Sequence, residues 1–430
     1  MSALPFMETI AQAFRTAAPS LPGAGAVSAQ RQAALEAFRR FGVPNHRLES
    51  WKFTSLSGLE KQTWALPANE AGIDAARVDA AALAGADSYR LVFVNGRFDA
   101  AASRLDDLPK GVILSPLSGM PDDLSEVLAG ETDKATALAA LNAALASDGV
   151  VLRLADGVVL EKPVELIAFG APALVNLRHM IVLGRGASAT LVETYRDGGI
   201  AAPGWTNIVG RIELGEGANL AHIRLQAEGA SAYHAALARI SVGGKARYVH
   251  RSLQTGGAVA RHELHTEFAG SDAAVDIQGL TLARGSSHID HTLFLHHAVP
   301  GCRSNQLFKH IVDDRGHAVF QGGIRVAPHA QKTDAQQLSR TLLLADRAQV
   351  DTKPELEILA DDVKCSHGAS IGDLDPQQMF YMQARGIGAE DARRLLLGGF
   401  AYEIIAAVPE GSLRDRICDV VEGWLQGGAA

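Results

Sequence analysis

Phe6, Ile10 and Phe14 recur at four-residue intervals near the start of the chain, the spacing of a single apolar face on an amphipathic helix. After a Gly/Pro-rich stretch, a second helix is predicted from Ser28, a candidate N-cap, through Leu35 and Phe38 to a stop at Gly42. Residues 1–85 therefore read as an N-terminal helical domain. At Tyr89 the pattern changes to strand. LVFVNGRFD sets Asn95-Gly96 between two apolar runs, which predicts a hairpin with a type I′ turn. TALAALNAALA, residues 136–146, is built of helix formers and predicts a short helical insertion.

From about residue 150 to 360 short apolar or alternating segments, such as IELGEGANLAHIRLQ, are separated by tight polar turns. The turns recur. Gly-x-Gly-Ala ends at Ala187 and Ala218, and similar punctuation returns near Ala246, Ala318 and Ala348, giving neighbouring spacings of 31, 28 and 30. The gap between Ala246 and Ala318 holds two or three further units. A period near 30 over this length predicts a stacked array in which each unit buries its face against its neighbours. No helical pattern separates the strands, so a β-helix is preferred to a doubly wound sheet or a propeller. The core is assigned to residues 86–364, and its two open ends are expected to be capped by the terminal helical segments.

Residues 365–430 return to helix. Asp375-Pro376 with Gln378 predicts an N-cap, a helix-starting proline and a capping-box partner, with Gly386 as the stop. Leu396, Phe400, Ile404 and Val408 then recur every four residues, and Ser412 opens a last helix carrying Leu413, Ile417, Val420, Val421 and Trp424. The fold class is thus mainly β, a solenoid flanked by helical domains at both termini.

Composition narrows the functions open to such a chain. At 430 residues, 47% hydrophobic, it has enough apolar area to fold without disulfides or metals. A net charge of −8 offers no basic field for nucleic acid or an anionic membrane. Three cysteines far apart, Cys302, Cys365 and Cys418, form neither a disulfide framework nor a closed metal site. Together with an N-terminus lacking a basic region and a continuous apolar run, they predict a cytoplasmic protein.

Candidate chemistry is sparse. GRGASA at 184–189 matches a dinucleotide fingerprint in form, but no helix follows to meet a pyrophosphate, and Gly244-Lys245 lacks the rest of a phosphate loop. Fifteen histidines include HELH at 262–265 and HIDHTLFLHH at 288–297. On strands, His262 and His265, or His288 and His291, point to opposite faces, which predicts internally bonded or solvated rings over metal ligands. GASIG at 368–372 fits GxSxG around Ser370, yet the segment before it is polar and the next helix waits until Asp375, which predicts a turn and not a nucleophile elbow. The best local site is DDVKCSHGAS at 361–370: Cys365 and His367, two apart in extended chain, share one face. A cysteine beside a proton acceptor is a candidate thiolate that binds iron or accepts sulfur. A packing cysteine and a turn-capping histidine satisfy the same pattern. One thiol cannot hold an iron-sulfur cluster, so any such site would be shared with another chain.

TKPELEILADDVKCSHGASIGDLDPQQMFYMQARGI at 352–387 resembles the signature segment of the D branch of the SufB/SufD family, and RLESWKFTSL at 47–56 resembles its N-terminal Arg-x-x-x-Trp-Lys-x-Thr motif. QKTDAQQLSRTLLLADRAQVDTKPELEI fits that family's last solenoid turns, so the resemblance runs across almost the whole chain. It implies a right-handed β-helix that is a scaffold and not an enzyme. It implies pairing with a SufB-like paralogue and recruitment of a SufC-like ABC-type ATPase, with a homodimer possible in isolation. It places His367 and Cys365 at the SufB–SufD interface where a nascent cluster forms, with His367 a transient metal ligand shared with SufB. It places ATPase docking on helices 376–408, where Phe380, Tyr381, Arg385, Phe400 and Glu403 are the candidate contacts. It implies no cofactor bound tightly to this chain alone, but a transient iron-sulfur cluster and a reduced flavin in the assembled complex. Arg47, Glu49 and Trp51 are assigned a structural or docking role, with helix-to-sheet packing anchors the preferred reading. The competing classes are a β-helical polysaccharide hydrolase or lyase and a purely structural interaction scaffold.

Overall fold

The computed structural model describes residues 4–67, 72–85, 87–130, 132–170, 172–198 and 202–427. In chain order its strands open with β1 (Tyr89–Val94), β2 (Arg97–Phe98), β3 (Val112–Pro116), β4 (Val150–Leu154), β5 (Val164–Gly170), β6 (Leu174–Leu183), β7 (Ser188–Asp197) and β8 (Trp205–Leu214). They continue with β9 (Asn219–Ala227), β10 (Tyr233–Val242), β11 (Arg247–Gln254), β12 (Val259–Phe268), β13 (Ala274–Ala283) and β14 (His288–His297). The series ends with β15 (Arg303–Val312), β16 (His317–Val326), β17 (Asp334–Leu343), β18 (Gln349–Ile358) and β19 (Lys364–Gly372). The odd-numbered strands from β5 to β19 stack in parallel as one sheet and the even-numbered strands from β4 to β18 as the other, giving a β-solenoid of eight turns.

One corner explains the sequence period. Two residues before each odd-numbered strand from β7 to β17 the backbone takes a left-handed conformation, at Gly186, Gly217, Lys245, Asp272, Gly301 and Lys332, with φ between 56° and 75°. Glycine takes this geometry without steric cost, and Asp or Lys holds it where the corner is otherwise fixed. The next residue is buried and usually small: Ala187, Ala218, Ala246, Ala273 and then Cys302, whose thiol therefore stands where neighbouring turns have alanine. Ala318 and Ala348 belong to the other sheet, Ala318 within β16 and Ala348 just before β18. The change of corner puts two and a half turns between Ala246 and Ala318, which is why that gap did not divide evenly. GRGASA is one of these corners, between β6 and β7.

Asn95 and Gly96 both have positive φ, 52° and 75°, and join β1 to β2 as an antiparallel pair, as the hairpin pattern requires. With β3, antiparallel to β4, this pair closes the first end of the solenoid.

The helices are α1 (Leu4–Ala17), α2 (Ser28–Phe41), α3 (Ser57–Glu60), α4 (Ala75–Ala81), α5 (Leu124–Leu128), α6 (Ala137–Leu145), α7 (Pro376–Ala384), α8 (Ala389–Ile405) and α9 (Ser412–Leu425). The apolar face of α1 is buried through Phe6, Ile10 and Phe14, and α2 stops at Gly42 with φ 73°. Ser28 does not cap α2: the N-cap is Val27, and the Ser28 hydroxyl donates to the Gly25 carbonyl. Asp375 does cap α7, accepting from the Gln377 amide.

The terminal helices do not plug the ends of the solenoid as expected. Phe6, Phe38, Trp51, Trp64 and the apolar side of α6 pack with Leu174, Trp205 and Ala235 on the outer face of the even-numbered sheet. Leu397, Ala401, Ile404, Ile417, Val421 and Trp424 of α8 and α9 pack with Ile223, Leu225, Leu253, Leu280 and Ile311 on the outer face of the odd-numbered sheet. Where these helices lie, both faces of the underlying sheet are buried, the condition under which parallel strands read as continuous apolar runs. The last strand carries the solenoid to Gly372, past the expected boundary at residue 364.

Candidate functional site at the open end of the solenoid

The last turn is uncovered. β18 has only β16 as a neighbour and β19 only β17, so each presents an unpaired backbone edge. Exposed Ile358, Leu359 and Ile371 lie on this turn. β19 pairs in register with β17, setting Cys365 beside Ala335 and His367 beside Gln337. Ala335 and Gln337 are buried, facing the lumen, so Cys365 and His367 occupy the same inward row on a turn that nothing stacks upon. This is the shared face expected from their spacing, and it carries both residues on the solenoid, not on the helical domain.

Cys365 is partly buried against the lumen core, while the His367 ring is exposed. Burial, with Asp334 nearby, pushes the Cys365 thiol above its ordinary pKa. Among the described residues no hydrogen bond joins Cys365 to His367, and the low dielectric around the sulfur opposes the thiolate expected from their spacing. Among the described residues no three His, Cys, Asp or Glu side chains come together as a metal site.

Ser370 lies exposed within β19, which runs on to Gly372, so the strand-to-helix elbow required of a nucleophile is not there. His262 and His291 face the lumen and are buried, whereas His265 and His288 lie on the outer face, the opposite orientations predicted. Buried outer-face carboxylates are engaged: Arg261 binds both Glu263 (2.8 Å) and Asp290 (2.5 Å).

Residues 47–56 form a strap across the even-numbered sheet toward the open turn. Trp51 is buried over the Arg261 guanidinium, 4.0 Å from its ring centre, and its indole N–H donates to the Ala135 carbonyl (2.8 Å). Thr54 donates to Asp290, Gln321 donates to the Ser50 carbonyl (3.1 Å), and Glu49 pairs with Lys353 of β18. Trp51 is therefore the packing anchor expected, Glu49 is largely exposed and ties the strap to the last turn by an ion pair, and Arg47 is exposed.

The five helical docking candidates separate. Phe380 and Tyr381 are exposed on α7, and the Arg385 guanidinium lies over the Tyr381 ring (4.8 Å). Phe400 and Glu403 instead turn to the solenoid: Lys309 of β15 sits over the Phe400 ring (4.2 Å), donates to the Phe400 carbonyl (2.8 Å) and pairs with Glu403, which also meets Arg340 (3.9 Å). Their contacts anchor α8 within the chain. The buried stripe of α8 runs through Ala392, Leu397, Ala401 and Ile404, one position off the Leu396 and Phe400 spacing read from sequence. Sequence reasoning missed Leu395 and Tyr402, exposed on α8, and the apolar residues of the open turn. The signal for the latter was present: Ile358, Leu359 and Ile371 sit in strand pattern with no later strand to cover them.

The chain matches two family descriptions in sequence: the SufBD protein N-terminal region over residues 20–166, and the SUF system FeS cluster assembly SufBD core domain over residues 168–400. The second covers more than half of the chain. The chain belongs to the SufBD family. It is 35% identical to the iron-sulfur cluster assembly protein SufD of Escherichia coli over 413 residues, 94% of each chain. A SufBD family iron-sulfur cluster assembly protein of Synechocystis is 34% identical over 90% of this chain and 89% of its own, and the chloroplastic protein ABCI7 of Arabidopsis thaliana is 34% identical over 74% and 70%. The SufBD N-terminal match contains the Trp51 strap, and the SufBD core match contains the open turn with Cys365 and His367. No helix among the described residues is long and apolar enough to cross a membrane.

Proposed function

We propose that this SufBD protein is the SufD-type scaffold of an iron-sulfur cluster assembly complex. Its open turn pairs with a SufB-like paralogue, and the exposed face of α7 and α8 receives a SufC-like ABC-type ATPase. The observation that carries the reading is the uncovered last turn: two free strand edges, an apolar rim, and Cys365 and His367 in one row at its mouth. Free edges of this kind seek strand partners, and a second solenoid supplies them in register. The nascent cluster is cargo at that seam. His367 offers an imidazole nitrogen as one ligand, Cys365 a thiol that must lose its proton on contact with iron, and the partner the remaining ligands. Dimerisation of the ATPase on α7 and α8 would bias the seam between two arrangements.

Co-purification with SufB and SufC counterparts, followed by anaerobic reconstitution read by visible absorbance, tests this. His367→Ala is expected to leave the ternary complex intact and to abolish the cluster signal. Unchanged cluster in that variant would make the open turn a structural seam only, and failure of the wild-type chain to join the complex would refute the scaffold reading.

A further inference from the structure

Beneath the strap, a line of hydrogen bonds crosses the outer face of the even-numbered sheet from the N-terminal domain to the last turn. The Thr54 hydroxyl contacts both the Asp290 carboxylate of β14 and Nε2 of His288 (2.9 Å). Nδ1 of His288 meets Nδ1 of His317 on β16 (3.1 Å), and Nε2 of His317 meets the Asp351 carboxylate of β18 (2.7 Å). The side chains of His317 and Asp351 are 22% and 39% exposed, so the far end of the line opens to solvent.

Each of these contacts needs one proton between its two heavy atoms. Arg261 (2.5 Å) and Thr292 (2.8 Å) both donate to Asp290, which is therefore an acceptor, and the single Thr54 proton goes to it as well. Nε2 of His288 must then donate to the Thr54 oxygen. Burial lowers His288 to about 4, so this ring is neutral and its Nδ1 carries a lone pair. That lone pair calls for a proton on Nδ1 of His317, and the Asp351 carboxylate calls for another on Nε2 of the same ring. Four links need four protons, whereas one hydroxyl and two neutral imidazoles bring three. The fourth comes from solvent, and an imidazole, a stronger base than a carboxylate, is the group that carries it. The charges that face the two rings are Asp290, Arg261 and Asp351, two carboxylates against one guanidinium. On the strap itself Glu49 is engaged with Lys353, and Lys52 lies over the Phe53 ring (5.4 Å).

We propose that Thr54, His288, His317 and Asp351 form a proton-operated latch between the N-terminal domain and the last turn, closed while His317 is an imidazolium and open once it has released that proton to solvent. On release Asp351, the charged acceptor, keeps the Nε2–H of His317. His288 reverses its tautomer and donates from Nδ1 to His317, which turns the Nε2 lone pair of His288 on the Thr54 oxygen. The Thr54 proton is committed to Asp290, so the missing link lands on the strap although the proton left from the other end. The proton passes to water, only hydrogen bonds change, and no co-reactant is consumed. Trp51, Gln321 and Lys353 still hold the strap, so opening loosens it locally and leaves the thermal midpoint level. β18 carries one of the two free edges, so the latch links the N-terminal domain to a strand on which the function proposed above seats the partner. The latch itself is a property of the isolated chain.

The test uses the isolated full-length chain. With 15N-labelled histidine at pH 6, NMR should show both ring nitrogens of His317 protonated and His288 protonated on Nε2 alone. The amides of Trp51 and Thr54, which donate to the Leu48 and Trp51 carbonyls, should lose about fivefold in exchange protection, corrected for base catalysis, between pH 6 and pH 8.5, the effect of one hydrogen bond. Asp351→Asn supplies an amide that can donate to Nε2 of a neutral His317. All four links then close without the extra proton, and the pH dependence should vanish. Thr54→Val removes the strap's end of the line and should show the weaker protection at both pH values, while the amides of β14 and β16 verify the fold of either variant. Wild-type protection that does not change with pH, or the same change in Asp351→Asn, would overturn the proposal, as would a His288 proton on Nδ1 at pH 6. Cluster yield in His367→Ala reads the seam and strap protection reads the latch, so each idea fails separately.

Discussion

Trp51 is a buried aromatic contact between the N-terminal domain and the solenoid, and removing it should detach the strap. The ring is almost fully buried, its indole N–H holds the Ala135 carbonyl, and its face covers Arg261. Truncating a buried aromatic to alanine costs about 3–5 kcal/mol. The lost hydrogen bond leaves a carbonyl unpaired, adding about 1 kcal/mol, and the lost cation–π contact adds about as much. Trp51→Ala should therefore lose about 5 kcal/mol from the unit that includes the strap. Trp51→Phe keeps most of the packing and should lose about 1–2 kcal/mol. With a urea dependence of about 2–3 kcal/mol per molar for a unit of this size, the unfolding midpoint of that unit should fall by roughly 2 M for alanine and roughly 0.5 M for phenylalanine. Limited proteolysis between residues 47 and 56 gives a second readout, since a released strap becomes a substrate. Equal midpoints for wild type and Trp51→Ala, or equal losses for the two variants, would refute the view that packing over Arg261 fastens the strap.

Three further outcomes are expected. Burial lowers His179, His288 and His297 to about 4 and His310 to about 3, so the unfolded chain binds more protons than the folded one as pH falls below about 6.5. Stability should be level above that value and drop steadily from about pH 6.5 toward 4, and a thermal midpoint unchanged between pH 7 and 5 would contradict the neutral lumen. Lys309→Met, which removes the ammonium that grips Phe400 and Glu403, should raise hydrogen exchange in α8 while the solenoid strands stay protected; unchanged exchange would show that apolar packing alone holds the helix. Phe380→Ala combined with Tyr381→Ala should weaken ATPase binding severalfold without moving the thermal midpoint, because both rings are exposed, and wild-type affinity would remove α7 from the docking surface.

Local pattern carried most of the architecture. The four-residue spacing of Phe6, Ile10 and Phe14, the Asn95-Gly96 turn, the 136–146 helix and the Asp375 cap depend on neighbours a few positions away, and each formed where the sequence put it. The period near 30 was legible because the six successive turns that open β7 to β17 share a left-handed corner followed by a buried, mostly small residue, a constraint that repeats in the letters themselves. Cys365 and His367 could be set on one face because strand alternation is also local. The Cys365 protonation state could not, because it depends on the lumen core and Asp334 packed around the sulfur.

What only the tertiary structure decided is which surfaces meet. An apolar stripe on α8 or α9 says that something must be covered, and the same stripe would serve an end cap or a sheet face; the fold sets it against Ile223, Leu225, Leu253, Leu280 and Ile311 on the outer face. Phe400 and Glu403 read from the sequence as contacts for a partner, and only the fold brings Lys309, far away in sequence, to them. The inward side of a strand reads as core, and the histidines buried there meet one another only when the turns are stacked, since alternation gives a residue its face but not its neighbours along the axis.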